Sequence, residues 1–483
     1  MASVNKQSLR EEYQALKEQF ERLCAQGKMA SESRALFKAM LVLFELLMAV
    51  FMEKHTTKNS NNSGIPPSQT PKDETSTGQP GSHGKGNKHN DARSENIREI
   101  EITETIEVNE CEGCAADLSE TPAHTHERRT LIDVIFEKVV THVDAQIKDC
   151  PHCQTQTKGR FPEQMSGPLQ YGAGIKAFVL NLLIAQMISL KRVQQSIKTL
   201  IGRMISEATI LKYVWQLYQA LAQWEQSAIE QILLAPTLHV DETSLRVDKK
   251  RQWIHVYSAG DITLKFLHPK RGLEAMEAIN IIPRYRGVMI HDCWSSYLSY
   301  EQHRHGLCGS HLLRELTFIV EANNYQWAIQ MKALLKETAA TVAKRKRKKL
   351  TAPEYEKLCE GYRSILEQGE KELPPIPPRQ KGKRGRVAKS DAHNLWERLE
   401  KYEDAVLLFA KLAHVPFTNN RAERDLRMSK VKQKISGCFR TSKYAEAYCR
   451  ISSYLQTMAY KGYNPLVAIQ MALSGEIYAE GGE

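Results

Sequence analysis

Apolar positions change their period several times along the chain, and each change marks an element. Leu9, Tyr13, Leu16, Phe20 and Leu23 are spaced 4, 3, 4 and 3 residues apart, a heptad seam. The spacing resumes after Gly27 with Leu36, Met40, Leu43, Leu47 and Val50. Two N-terminal helices are expected, able to pair with each other or with a second chain. From 55 to 95 Ser, Asn, Gly, Pro and Lys replace almost every large apolar residue, which predicts a flexible linker. Alternation over 97–146, IREIEITETIEV and then LIDVIFEKVVTHVDAQI, predicts short antiparallel strands. Helical spacing returns over 171–233, with a break at Gly202. Ser206 is placed to cap the next helix, with Glu207 in its first turn where the helix dipole favours acid. Two helices with a short Gly-containing turn resemble a helix-turn-helix, a corner that any helical bundle can also make.

Beyond 236 the period drops to 2. LHVDETSLRV, RQWIHVYSAG and TLKFLHP read as three successive strands. A helix, GLEAMEAINII, precedes a fourth strand at RGVMIHD, and HGLCGSH offers a fifth. This β-β-β-α-β-α-β order matches the mixed sheet of an RNase H-like core. Long helices with basic runs fill 312–400, interrupted by ELPPIPPRQ, as an insertion within that domain; helices return at 395–413 and from 419 onward. The expected fold is multi-domain α+β. Its parts are a helical heptad (coiled-coil) segment at 1–54, the linker at 55–95, a zinc-binding module at 96–160 and a helix-turn-helix-like helical DNA-binding region at 165–233. An RNase H-like α/β core follows, with its first part at 236–309, a helical basic insertion at 310–400 and its second part with C-terminal helices at 401–475.

Charge narrows the partner. The net charge of +11 is clustered in KRKRKK at 344–349, RQKGKRGR at 379–386 and a basic face over 421–443. Clustering favours a nucleic acid, although 344–349 taken alone also fits a solvated charge run. Nothing in the charge pattern singles out RNA. ALFKAMLVLFELLMAVFM at 35–52 carries Lys38 and Glu45, which argues against a membrane span. The N-terminus does not read as a secretory signal, and ten cysteines in a reducing, cytoplasmic setting point to metal binding more than to disulfides.

Three acids stand out: Asp241 mid-strand in PTLHVDETSL, Asp292 at a strand end in GVMIHDCWSSY and Glu423 on a basic helix in NNRAERDLR. Carboxylates converging from such elements can hold two Mg²⁺ (or Mn²⁺) ions, and paired ions drive phosphodiester chemistry. Glu242 follows Asp241 but points to the opposite face of the strand. Asn420, Glu423, Arg427, Lys430 and Lys434 share one helix face, a sensible mixture if that face meets both metal and phosphate. Asp425 competes with Glu423 but lies about 200° round the helix, and Glu315 in CGSHLLREL competes from another helix. Arg421, Arg424, Arg427, Lys430, Lys432, Lys434 and Arg440 are the expected DNA-binding residues. Cys111-x2-Cys114 and Cys150-x2-Cys153 have a spacing suited to one structural, tetrahedral Zn²⁺. Cys308-x2-His311 is half a metal site or a structural pair at the site's edge, since two ligands alone do not make a zinc centre. His291 reads as strand packing or support for its neighbour Asp292.

HVDET, IHDCWSSY, CGSHLLREL and PFTNNRAERDLRMSKVKQKISGCFRT together resemble the insertion sequence 66 family of bacterial transposases. The resemblance runs from about residue 5 to about 470, and NNRAERDLR and KQKISGCFRT are its most specific stretches. It implies a DDE catalytic domain of RNase H-like fold interrupted by an insertion, with the family's carboxylates on Asp241, Asp292 and Glu423. The activity implied is cutting and joining of element ends with Mg²⁺, on double-stranded DNA of ends and target. A homo-oligomer, at least a dimer on DNA, and companion proteins from the same element are the implied partners. The Cys308–His311 pair also recurs in that family. Two rival readings remain: a zinc-containing DNA-binding regulator without catalysis, and an RNase H-like nuclease that cuts without joining.

Overall fold

The computed structural model describes residues 6–26, 33–34, 37–38, 40–41, 102–133, 137–163, 165, 167–374 and 389–477. The expected linker at 55–95, the RQKGKRGR run and most of the second heptad helix lie outside the described residues. The chain divides into two units, 1–87 and 88–483. In the first, α1 (Lys6–Ala25) carries the heptad seam; Leu16 and Leu23 are exposed and the Phe20 ring stacks on Phe37 at 6.0 Å.

The second unit opens with two cysteine hairpins. Glu110 pairs with Asp117 in an isolated bridge, and β1 (Ile147–Asp149) pairs antiparallel with β2 (Gln156–Lys158). Apart from these, the described residues between 102 and 146 form no strand, contrary to the expectation from their alternation. Ile106, Leu131 and Ile132 are almost fully exposed. Alternation selects an extended backbone, but a ladder also needs a partner and a surface to cover, and these segments meet neither.

Helices follow as the spacing predicts: α2 (Ala173–Leu180), which runs on as a π-turn through Ala185, α3 (Leu190–Ile201), α4 (Glu207–Ala220) and α5 (Ala222–Leu234). Gly202 ends α3 at φ +73°, a left-handed conformation that glycine adopts without strain. The Ser206 side chain accepts the Thr209 amide at 3.1 Å and so caps α4. Ile210, Tyr213, Val214 and Leu217 bury one face of α4 in the core, which leaves Ala208, Lys212, Gln216 and Gln219 exposed on the other.

The mixed sheet comprises β3 (Thr237–Val247), β4 (Lys250–Ala259), β5 (Ile262–His268), β6 (Val288–His291) and β7 (Arg304–Leu307), in the order β5-β4-β3-β6-β7. β3 is central, antiparallel to β4 and parallel to β6. α6 (Leu273–Ile279) and the single turn α7 (Ser295–Leu298) fall between the later strands. Gly309 then opens α8 (Gly309–Asn323), followed by α9 (Gln326–Lys344), α10 (Ala352–Glu372), α11 (Asp391–Lys401) and α12 (Glu403–Lys411). The chain closes with α13 (Asn420–Ser436), α14 (Ser442–Tyr460) and α15 (Pro465–Ser474).

Two apolar cores result. Val240, Val256 and Leu264 of the sheet pack with α2–α5, α14 and α15 through Leu180, Leu217, Ile451 and Tyr454. Val288, Ile290 and Leu307 pack instead with α8–α12 through Leu312, Trp327, Tyr362, Leu395 and Phe409. α13 lies on β3 and β4, and α14 lies on β5. Phe439, past α13, bridges to Val247 and bonds the backbone of Arg246 and Asp248, tying the CFR stretch to the end of β3.

Candidate active site

The parallel register sets the first relation. His239 of β3 faces Ile290 of β6, so two residues further along Asp241 comes level with Asp292, where β6 has ended. A strand end beside a central strand is a common place for chemistry in α/β sheets. Asp241 Oδ1 accepts the Glu242 amide at 2.8 Å, and Asp292 Oδ1 accepts the Trp294 amide at 3.0 Å.

The third acid arrives through Asn419. This residue, 2% exposed, stands just before α13. Its Nδ2 donates to Val240 O at 2.8 Å, its Oδ1 lies 2.9 Å from His239 Nδ1, and its amide donates to Cys308 Sγ at 3.2 Å. The start of α13 is thereby fixed to β3, one turn before Glu423. Gly309 donates its amide to Phe417 O at 2.8 Å, and a Cβ at Gly309 would fall 2.2 Å from the Phe417 ring. Only glycine lets the segment leading to α13 pass so close to the start of α8.

Electrostatics report the convergence. Asp241 is pushed from its ordinary value of 3.8 up to about 7, first by burial, then by the charges of Glu242, Asp292 and Glu423, while the Glu242 amide opposes the shift. Asp241 thus lies within electrostatic reach of both Asp292 and Glu423. Glu242 has partners of its own: Arg271 bonds it at 2.8 and 2.5 Å and Tyr297 Oη donates at 2.5 Å. Arg271 is itself held between the Trp253 and Trp294 rings. Burial raises the Glu242 carboxyl despite these partners.

The two competing acids are engaged elsewhere. Asp425, fully buried, accepts from Ser258 at 2.7 Å, Thr263 at 2.6 Å, Tyr460 at 2.6 Å and Arg421 Nε at 3.1 Å, and its carboxyl is lowered from its ordinary value because these bonds together outweigh its burial. Glu315 pairs with Arg398 of α11. His291 is buried in β6 with Nε2 2.8 Å from His305 Nδ1, and burial pushes it down to about 3.

The expected phosphate ligands divide. Arg424, Arg427, Lys430, Lys434 and Arg440 are exposed. Arg421 is paired with Asp425 and stacked on Tyr460 at 3.6 Å, and Lys432 is 8% exposed. These two are thereby drawn in from the surface of α13.

Cys308, His311 and Glu423 offer ligand atoms that all lie within 4.8 Å of one another. The two CxxC pairs adopt the same turn. Cys111 N–H donates to Ala116 O and Cys150 N–H to Thr155 O, while Ala115 at φ 56° and Gln154 at φ 58° close each loop. Neighbouring amides lower the Cys111 thiol, and Thr155 lowers that of Cys153. No three of the four knuckle sulfurs lie within 4.8 Å of one another.

Reading the chain alone missed Asn419, Arg271 and Tyr297. The doubled Asn of NNRAERDLR was a visible signal for the first; nothing in the residue pattern links Arg271 or Tyr297 to Glu242. Among the described residues no helix is long and apolar enough to cross a membrane. No curated protein matches the chain. The family model of the IS66 family transposases matches residues 168–447, more than half of the chain and the whole of the sheet with α13. The chain belongs to the IS66 family of transposases.

Proposed function

We propose that this chain is a DNA transposase that cuts element ends and joins the freed 3′-hydroxyl to target DNA at a carboxylate site of Asp241, Asp292 and Glu423. The observation that carries the reading is the register that sets Asp241 level with Asp292, with Asn419 tying the start of the helix that bears Glu423 to the same strand. Like charges crowded in a half-buried site fit a cation better than they fit each other. Their hard oxygen donors suit Mg²⁺ or Mn²⁺, and such ions activate an attacking oxygen and neutralise the leaving one in an in-line displacement. The strand order, with α13 returning across β3 and β4, supports an RNase H-like core.

The chain's own groups divide the remaining work. Asp241 gives up its proton to become a ligand. Arg271 and Tyr297 hold Glu242 off the site, so that only one acid of the pair faces it. Arg424, Arg427, Lys430, Lys434 and Arg440 line an exposed basic face beside Glu423 that meets phosphates. Cys111, Cys114, Cys150 and Cys153 would hold one structural Zn²⁺, four thiolates on two matching turns being the donor set such an ion takes.

The test is Asp241→Ala with a DNA duplex carrying the element end. Cleavage and strand transfer are expected to disappear while end binding persists. Cleavage at the wild-type rate would refute the site. Pre-cut ends supplied to the wild type separate a transposase, which joins them, from a nuclease, which does not.

A further inference from the structure

Cys308 precedes α8 and is 1% exposed; His311 lies in the first turn of that helix. The amide of Asn419 directs the Cys308 sulfur toward the start of α13, and His311 Nδ1 lies 3.6 Å from Glu423 Oε1. That separation is too long for a hydrogen bond. Both atoms are nonetheless buried, and neither has a hydrogen-bond partner. Unpaired buried polar atoms facing one another are costly unless something sits between them. Ligand bonds of about 2.0–2.3 Å in a tetrahedral centre place neighbouring donors roughly 3.3–3.8 Å apart, which matches the observed separation. The sulfur completes a triangle within 4.8 Å.

We infer that Cys308, His311 and Glu423 form a metal site for Zn²⁺ or a similar borderline-soft divalent ion, with a fourth position open. A thiolate and an imidazole select such an ion against Mg²⁺. Binding releases the Cys308 thiol proton to solvent, and nothing is oxidised. Glu423 belongs to both ligand sets, so an ion held here competes with Mg²⁺ for that carboxylate; this competition rests on the transposase reading, whereas the binding does not. The sequence alone offered only two of the ligands, because the third comes from a helix more than a hundred residues further on.

The experiment uses the full chain with its four knuckle cysteines unchanged. Zn²⁺ binding is measured by equilibrium dialysis, and Co²⁺ serves as an optical probe, for the wild type, Cys308→Ser, His311→Gln and Asp241→Asn. Cys308→Ser and His311→Gln are each expected to weaken one Zn²⁺ site by roughly tenfold or more, and Asp241→Asn to retain it. The wild-type Co²⁺ spectrum minus that of Cys308→Ser is expected to show a thiolate-to-cobalt charge-transfer band. His311 is part-exposed, so its variant decides the matter if the buried cysteine substitution impairs folding. Isotherms and spectra that superimpose across the wild type and His311→Gln would overturn the site, whatever the DNA chemistry proves to be.

Discussion

Asp241 concentrates the chemistry of the site in one titration. Unfolded, its carboxyl ionises near 3.8; folded, near 7. Between those values the folded state holds the extra proton, so stability falls as pH rises through this window, and the full penalty is present above about pH 7. Asp241→Asn removes the charge and the slope with it. In the absence of metal at pH 8 this variant should be more stable than the wild type by about 2–4 kcal/mol, with little difference near pH 4. Urea unfolding at the two pH values measures this, and equal stabilities at pH 8 would contradict the burial of Asp241 and the charge around it. The acid itself was legible from its place within an apolar strand. Its neighbour's role was legible only by half: alternation turned Glu242 away, but Arg271 and Tyr297 come from 29 and 55 residues along the chain. The same limit applies to Arg421 and Lys432, which look like any other cation of the basic helix until Asp425 and the core claim their places.

α13 is held on both of its sides. Asn419 ties its start to β3 and Cys308, while Asp425 gathers Ser258, Thr263 and Tyr460 on the face away from Glu423. Asn419→Ala leaves the Val240 carbonyl and the His239 ring without their partner, and should cost about 1–3 kcal/mol. Cleavage should fall further than DNA binding, since Glu423 loses its anchor while the exposed cations do not. Thermal unfolding and a single-turnover cleavage assay check both parts; unchanged cleavage would mean that Asn419 does not position Glu423. Elements were legible where a strong period coincided with burial, as in β3 to β7 and α2 to α5. Alternation failed over 102–146, where Ile106, Leu131 and Ile132 have the strand pattern and no ladder. A cap such as Ser206 is local chemistry and could be read directly. An anchor such as Asn419 is tertiary: the doubled Asn of NNRAERDLR marked the spot, but its partners at Val240, His239 and Cys308 could not be read.

Across the second unit, the sheet separates two cores, and its order puts the strands bearing Asp241 and Asp292 side by side. The succession of elements was foreseen from the changes of period, whereas the order of the strands, with the first of them central, comes from the structure. The division of cations was not foreseen. Each exposed residue among Arg424, Arg427, Lys430, Lys434 and Arg440 that meets a phosphate should lower the slope of log affinity against log salt by about 0.9 when changed to alanine. Lys432→Met should leave that slope unchanged. DNA-binding titrations at several salt concentrations test the pattern, and an equal effect at Lys432 would contradict it.

The central claim is that Asp241, Asp292 and Glu423 hold the ions that drive the reaction. Crystals of the protein grown with Mn²⁺ and a DNA end should show anomalous density for two ions about 3.5–4 Å apart, touching all three carboxylates. Manganese bound away from Asp241 and Asp292, or bound there with Glu423 turned to another partner, would contradict the account.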